Sequence, residues 1–306
     1  MTDLSLLAHL HTIRDLIRWG ASHMNGAGLY FGHGTADAID ESAAIVLHAL
    51  HLPPDLHVEY FHANLTPDEK RDILELFERR INERVPVPYL TQQAWFMGMP
   101  FFVDERVLIP RSPIAELIER QFSPWIKAET VTHILDLCTG SGCIGIACAH
   151  AFPEAEVDLV DISRDALDVA EINIIEHGVE DRVEAIESDL FSELEDRVYQ
   201  LIVSNPPYVG SEEMAGLPAE YGHEPALALA SGEDGLDATL QILRAAPQHL
   251  SDDGVLVVEV GNAQWALRER LPEVPFLWLD FERGGEGVFL LTAAELREHA
   301  AAIAAA

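Results

Sequence analysis

From about residue 130 onward, short apolar runs that end at polar or acidic residues alternate with stretches of helical period, and this alternation limits the fold more than any other feature. His133-Ile134-Leu135-Asp136-Leu137 reads as a first strand, Cys138-Thr139-Gly140-Ser141-Gly142 as a turn, and Cys143 to Ala151 as a helix. Val157 to Asp161 gives a second strand and Ser163 a cap for the next helix. Arg182 to Glu187 closes at Ser188-Asp189-Leu190, and Leu201 to Ser204 and Val255 to Val260 follow. Phe276 to Phe281 and Val288 to Leu291 supply a terminal antiparallel pair. Strands separated by helices pair in parallel and bury both faces, so an α/β fold with a mostly parallel sheet is expected.

The segment before residue 130 has a different texture. Leu4, Leu7, Leu10, Ile13, Leu16, Ile17 and Met24 recur at helical spacing and predict a helix over 3–24, with a second over about 38–50. Thr66-Pro67-Asp68-Glu69 has the form of a capping box with proline at the first helical position, and Ile73, Leu74, Phe77 and Ile81 continue its stripe. Pro88-Tyr89-Leu90-Thr91 and Ala94 to Val103 carry the aromatic content of strands, so a β-hairpin with a Gly98-Met99-Pro100 turn is expected. Pro110-Arg111-Ser112-Pro113 then stops the strand and opens a helix through Phe122. The expected domains are 1–85, helical and substrate-recognising; 86–128, hairpin and hinge; and 129–306, the sheet.

Composition excludes several function classes. Against 52 Asp+Glu the chain sets only 19 Lys+Arg, a net charge of −33. Nucleic-acid affinity rests largely on phosphate neutralisation, so a basic partner is expected, with no direct nucleic-acid contact. Cys138, Cys143 and Cys148 form no CxxC pair and read as thiols; the histidine pairs lack companions at ligand spacing, so no metal is expected. No apolar run nears the roughly 18 residues of a membrane span and the first residues lack a signal-peptide pattern, so a cytoplasmic location without membrane contact is expected.

After Leu201-Ile202-Val203-Ser204 comes Asn205-Pro206-Pro207-Tyr208, a stiff loop at a strand's carboxyl end, where open α/β sheets bind ligands. The Asn205 side-chain oxygen and the Pro206 carbonyl are two acceptors suited to a planar NH2 group, and Tyr208 adds an aromatic face. In the Gly140-x-Gly142 turn the backbone is open to close approach. Asp136, Asp161 and Asp189 accompany it; Asp161 would hydrogen-bond ribose hydroxyls or cap the following helix, and Asp189 would serve the site or cap a helix. Glu259, at the end of an apolar strand, either faces the site or does not.

Asp136-Leu137-Cys138-Thr139-Gly140-Ser141-Gly142 followed by Asn205-Pro206-Pro207-Tyr208 resembles the S-adenosylmethionine-dependent methyltransferases that act on exocyclic or amide nitrogen. His223 to Leu229 and Ser231 to Leu236 are similar to the protein-glutamine methyltransferases, which modify release factors or large-subunit ribosomal protein three. Tyr30 to Thr35 and Val103 to Pro113 resemble the ribosomal-protein branch; the release-factor branch carries Pro-Arg-Pro-Asp-Thr-Glu at the hinge, and here the nearest acid, Glu116, is one register away and receives no cofactor role. The resemblance implies a Rossmann-like seven-stranded methyltransferase sheet with one antiparallel strand. It implies a catalytic tetrad of Asn205, Pro206, Pro207 and Tyr208, and S-adenosylmethionine as cofactor. The cofactor residues would be Asp136, Cys138, Thr139, Gly140, Ser141, Gly142, Asp161, Ile162, Asp189, Leu190 and Asn205, with Cys138 standing where glycine is usual. The alternatives are a release-factor enzyme, a nucleic-acid adenine methyltransferase and a non-catalytic S-adenosylmethionine-binding protein.

Overall fold

A computed structural model describes residues 9–306, in two compact units: residues up to Ala94 together with Pro218–His223, and Trp95–Leu217 with Glu224–Ala306. The first unit holds helices α1 (Ile13–Gly26), α2 (Ala38–Ala49), α3 (Pro67–Glu78) and α4 (Val87–Thr91). Helix α1 starts at Ile13, so residues 9–12 of the expected helix are not helical, and residues 3–8 of that expectation lie outside the described residues. Its start is fixed by a reciprocal cap: Asp15 N–H donates to Thr12 Oγ1 (3.2 Å), and the N–H groups of Thr12 and His11 donate to Asp15 Oδ2 (both 2.9 Å). The Thr66 capping box opens α3 as expected. Residues 88–91 are helical rather than extended, because Pro86 and Pro88 preset the first-turn φ and the Leu90 N–H closes on the Pro86 carbonyl.

Leu16, Met24, Ile45, Ile73 and Phe77 form this unit's apolar centre. Beside it lies an ionic one. Arg80, wholly buried in the π-helical turn Arg79–Glu83, donates from Nε to Glu41 Oε2 (2.7 Å), from Nη2 to the Tyr30 carbonyl (2.8 Å) and from Nη1 to Glu220 Oε1 (3.3 Å). Glu220 also accepts from the Tyr30 N–H at 3.0 Å, which ties the short 218–223 segment into the unit. Removing one partner of such a cluster leaves buried charge unpaired.

The division at Ala94 falls within the first strand of a hairpin of β1 (Gln93–Phe96) and β2 (Met99–Phe102). Its turn is Met97-Gly98, one residue before the expected position, since both residues take the positive φ (52° and 73°) that a two-residue hairpin turn demands; Pro100 lies inside β2. Then come α5 (Ile114–Glu119), β3 (His133–Leu137), α6 (Cys143–Ala151), β4 (Glu156–Asp161), α7 (Arg164–Glu176), β5 (Val183–Glu187) and β6 (Tyr199–Ser204). The chain continues through α8 (Ser211–Met214), α9 (Asp237–His249), β7 (Leu250–Glu259), α10 (Gln264–Arg270), β8 (Leu277–Trp278), β9 (Val288–Thr292), α11 (Ala293–Glu298) and α12 (Ala300–Ala305).

Seven strands form one sheet in the order β5-β4-β3-β6-β7-β9-β8, with β9 running against the rest. Successive residues alternate between its faces: Ile134, Leu201, Val203 and Val257 pack under α5, α6 and α7, while Leu135, Ile202, Leu256 and Val258 pack under α9, α10 and α11. Leu137 pairs with Val160 on one side and Ser204 on the other, so the turns leaving β3, β4 and β6 open at the same edge. No helix among the described residues is long and apolar enough to cross a membrane. Replacing Arg80 by alanine is expected to cost about 3–5 kcal/mol of stability, read as a fall in the urea midpoint; a loss below about 1 kcal/mol would show that the cluster contributes little.

Candidate active site

The three coincident strand ends surround a cleft of about 290 Å³. The turn after β3 is its floor. Gly140 has φ +55° with open space where a Cβ would stand, so the backbone is bare toward the cleft. Gly142, at φ +81°, is required for packing instead, since a Cβ there would come within 3.1 Å of Ile146 and Leu159. Cys138 also takes a left-handed φ, +57°, the conformation that costs a side chain and favours glycine. Burial, then the Asp161 charge, pushes its thiol well above the ordinary range, which disfavours the reactive thiolate.

Two carboxylates build this turn. Asp136 is fully buried beneath it; Oδ2 accepts from Thr139 Oγ1 (2.6 Å) and from the Gly145 N–H (2.9 Å), and Oδ1 has no hydrogen-bond partner among the described residues. It holds the turn from below and does not line the cleft. Asp161 does line it. Its Oδ2 accepts from the Gly140 N–H and its Oδ1 from the Ser163 N–H, both at 2.9 Å, while the cap on α7 is Ser163 itself, whose Oγ accepts from Ala166 N–H. Burial raises Asp161 above the usual carboxylate range against the pull of those N–H groups.

Thr139, Ser141, Ile162, Asp189 and Leu190 also reach the cleft wall. Asp189 begins no helix; its backbone carbonyl accepts from the Ser192 hydroxyl (2.7 Å). Asn205 and Pro207 line the cleft from the end of β6, whereas Pro206 is buried and Tyr208 stands behind it. The Asn205 Oδ1 atom is buried and has no hydrogen-bond partner among the described residues. Buried polar atoms are nearly always paired, so this oxygen is a candidate acceptor for a group bound in the cleft.

One contributor, Asn173, has no signal in the sequence, and the long-range partners of Arg111, Glu224, Glu259 and Glu116 have none either. Asn173 of α7 is fully buried: its Nδ2 donates to the carbonyls of Ser141 (2.8 Å) and Phe102 (3.0 Å), and its Oδ1 accepts from the Phe102 N–H (2.7 Å). It thus fastens the Cys138 to Gly142 turn to β2. Arg111 pairs with Glu224 through two 2.7 Å bonds, and Glu224 also accepts from the Ile109 N–H, so the Ile109 to Arg111 stretch and the segment from Glu224 are joined. Glu259 points at Tyr208 and Ser112 rather than into the cleft. Glu116 accepts from the N–H groups of Glu282 and Arg283 (3.0 and 2.8 Å), a role in holding that loop.

Burial is the main cause that pushes the Asp136 carboxyl up to about 7 from 3.8. A carboxyl raised on folding binds its proton more tightly in the native state, so the stability it contributes is complete below pH 3.8 and is lost as pH rises towards about 7. Wild-type stability is therefore expected to fall relative to Asp136→Asn across that window, measured by denaturant unfolding at a series of pH values; parallel curves would contradict the assignment.

Residues 121–217 match the family described as Methyltransferase small domain. A protein of Francisella tularensis subsp. tularensis (strain SCHU S4 / Schu 4) named ribosomal protein uL3 glutamine methyltransferase is 51% identical over 292 residues, covering 95% of this chain and 93% of that one. Its namesake in Xanthomonas campestris pv. campestris is 53% identical over 294 residues, covering 96% and 95%. The solved structure of ribosomal protein L11 methylase from Lactobacillus delbrueckii subsp. bulgaricus aligns with a TM-score of 0.41 at 20% identity, over 59% of this chain and 77% of that one. With relatives more than half identical over nearly its whole length, the chain belongs to the ribosomal protein uL3 glutamine methyltransferase family.

Proposed function

We propose that this protein transfers a methyl group from S-adenosylmethionine to the side-chain amide nitrogen of a glutamine in large-subunit ribosomal protein uL3, in the cytoplasm. The observation that carries the reading is the buried, unpartnered Asn205 Oδ1 at the cleft. An amide NH2 is a donor of matching shape, and the Pro206 carbonyl supplies a second acceptor on the same loop.

The cleft fits the cofactor. The bare backbone at Gly140 admits its close approach, and Asp161, two of whose lone-pair directions are used by N–H groups, keeps others for ribose hydroxyls. Ile162 and Leu190 offer apolar walls for a purine, and Asp189 an acceptor for an exocyclic amino group. When bound, S-adenosylmethionine supplies a methyl group on a positively charged sulfur.

An amide nitrogen is a weak nucleophile because its lone pair is conjugated with the carbonyl, the conjugation behind the ~18–20 kcal/mol rotation barrier of a peptide bond. Two acceptors that hold its hydrogens aim the nitrogen and stabilise the positive charge that grows on it as the new N–C bond forms; the excess proton then leaves to solvent. Such acceptors help the transition state more than the neutral amide. Positioning alone can supply about 7–11 kcal/mol, and the three cysteine thiols, all buried or raised in pKa, are not needed as bases.

The surplus of acid, −33 overall, favours a basic protein over nucleic acid as acceptor, and we assign its capture to the helical unit at residues 1–85. The test offers labelled S-adenosylmethionine with purified uL3, a release factor and DNA, and locates the label by mass spectrometry. Label on a glutamine of uL3 alone is expected, and Asn205→Ala should lower turnover by about 10²-fold or more while cofactor affinity holds. Label in DNA or in the release factor alone, or full turnover in Asn205→Ala, would refute the reading.

A further inference from the structure

Tyr208, the last residue of the catalytic loop, is gripped from behind at three points. Its hydroxyl donates to Glu259 Oε1 at 3.0 Å. Its ring lies so close to Gly261 that a Cβ there would come within 2.7 Å of Cε2, and its carbonyl lies 2.2 Å from where a Cβ on Gly235 would stand. Both glycines also have positive φ, +45° and +81°, so neither position accepts a side chain easily. Gly261 is in turn backed by Gly287, whose carbonyl accepts from the Val260 N–H at 2.7 Å.

The carboxylate that holds the hydroxyl is itself held. Ser112 Oγ donates to Glu259 Oε2 at 2.5 Å, and the Ile114 N–H at the start of α5 donates to Ser112 Oγ at 3.2 Å. A buried carboxylate at the end of an apolar strand is costly to the fold, and burial indeed pushes Glu259 above the ordinary carboxylate range. The core would be cheaper with an apolar residue there. Its position is explained by the two hydroxyls it joins, one on the hinge and one on the catalytic loop.

We propose that Glu259, oriented by Ser112, is a positioning residue for methyl transfer: it fixes the Tyr208 ring and, through the stiff Pro206-Pro207 link, the Asn205 acceptor. Glu259 touches neither substrate nor cofactor. The hinge motif Pro110-Arg111-Ser112-Pro113 thereby sets the geometry of the loop that receives the amide, although nearly a hundred residues separate them in sequence. This rests on the methyl-transfer reading given above for Asn205 and Tyr208.

The test compares steady-state transfer to uL3 by the wild type, Glu259→Ala, Glu259→Gln, Tyr208→Phe and the Glu259→Ala/Tyr208→Phe double variant, with cofactor affinity by calorimetry and urea unfolding of each. Misplacing the loop should lower kcat by about tenfold to 10²-fold in Glu259→Ala, with cofactor affinity unchanged. Glutamine, which can accept from Tyr208 and donate to Ser112, should restore most of kcat, and the double variant should be no slower than the slower single. A Glu259→Ala enzyme that loses stability but keeps kcat, a glutamine variant no better than alanine, or additive losses would overturn the proposal. If Glu259→Ala fails to fold, Ser112→Ala takes its place, with a smaller loss of kcat expected and an unchanged kcat overturning the proposal. Should the wild type label no uL3, the functional reading falls, and the unfolding cycle between Tyr208 and Glu259 still decides whether the bond couples them: no coupling overturns the positioning role.

Discussion

Everything at the site depends on the pairing of β3 with β4 on one side and β6 on the other. Because Leu137 stands opposite both Val160 and Ser204, the Cys138 to Gly142 turn, Asp161 and Asn205 emerge side by side. A slip of one residue in either ladder would turn each alternating set of apolar side chains to the wrong face of the sheet. Two apolar layers, one on each face, therefore lock the register that chemistry needs. The turn is then held from below by Asp136, from the side by Asp161 and from α7 by Asn173. In the proposed reaction, rigidity of this kind would let a few acceptors work on a weak nucleophile, since they are in place before the reaction begins.

The sheet strands and their turn were legible because both signals are local. The apolar run at 133–137 matches its strand end to end, and Asn205-Pro206-Pro207-Tyr208 announces its loop by composition alone, whereas the run at 255–260 marks only the second half of β7. The misplaced elements are also instructive. The Leu4 to Met24 spacing continues through Leu10, yet α1 starts only after Thr12, because a reciprocal cap outweighs periodicity. Pro88 in an aromatic stretch reads as strand, but a proline near a helix start is equally at home. What no local pattern could reveal was the set of polar residues that work over long separations. Asn173 sits in a helix like any surface polar residue, and Glu224 and Arg111 lie 113 residues apart. Their partners exist only once the sheet has formed.

The charge balance has a structural side as well. Many of the 19 cations are committed to acids of the same chain: Arg80 to Glu41 and Glu220, Arg111 to Glu224, Arg197 to Asp158 and Glu184, and Arg297 to Asp252. Arginine suits these posts because its planar fork satisfies two or three acceptors at once. Since the acids outnumber the cations by 52 to 19, pairing inside the fold leaves most carboxylates without a cation. A protein so charged steers towards basic partners and away from phosphate backbones, in keeping with an acceptor drawn from the ribosomal proteins.

The central claim is that Asn205 Oδ1 waits for the hydrogen of the amide to be methylated. The most direct measurement is a crystal structure of the protein with S-adenosylhomocysteine and a glutamine-containing uL3 peptide. The account predicts the glutamine nitrogen within hydrogen-bond distance, about 2.7–3.2 Å, of both Asn205 Oδ1 and the Pro206 carbonyl, aimed at the cofactor sulfur. A glutamine bound elsewhere, or an Asn205 oxygen satisfied by the protein itself in that complex, would contradict it.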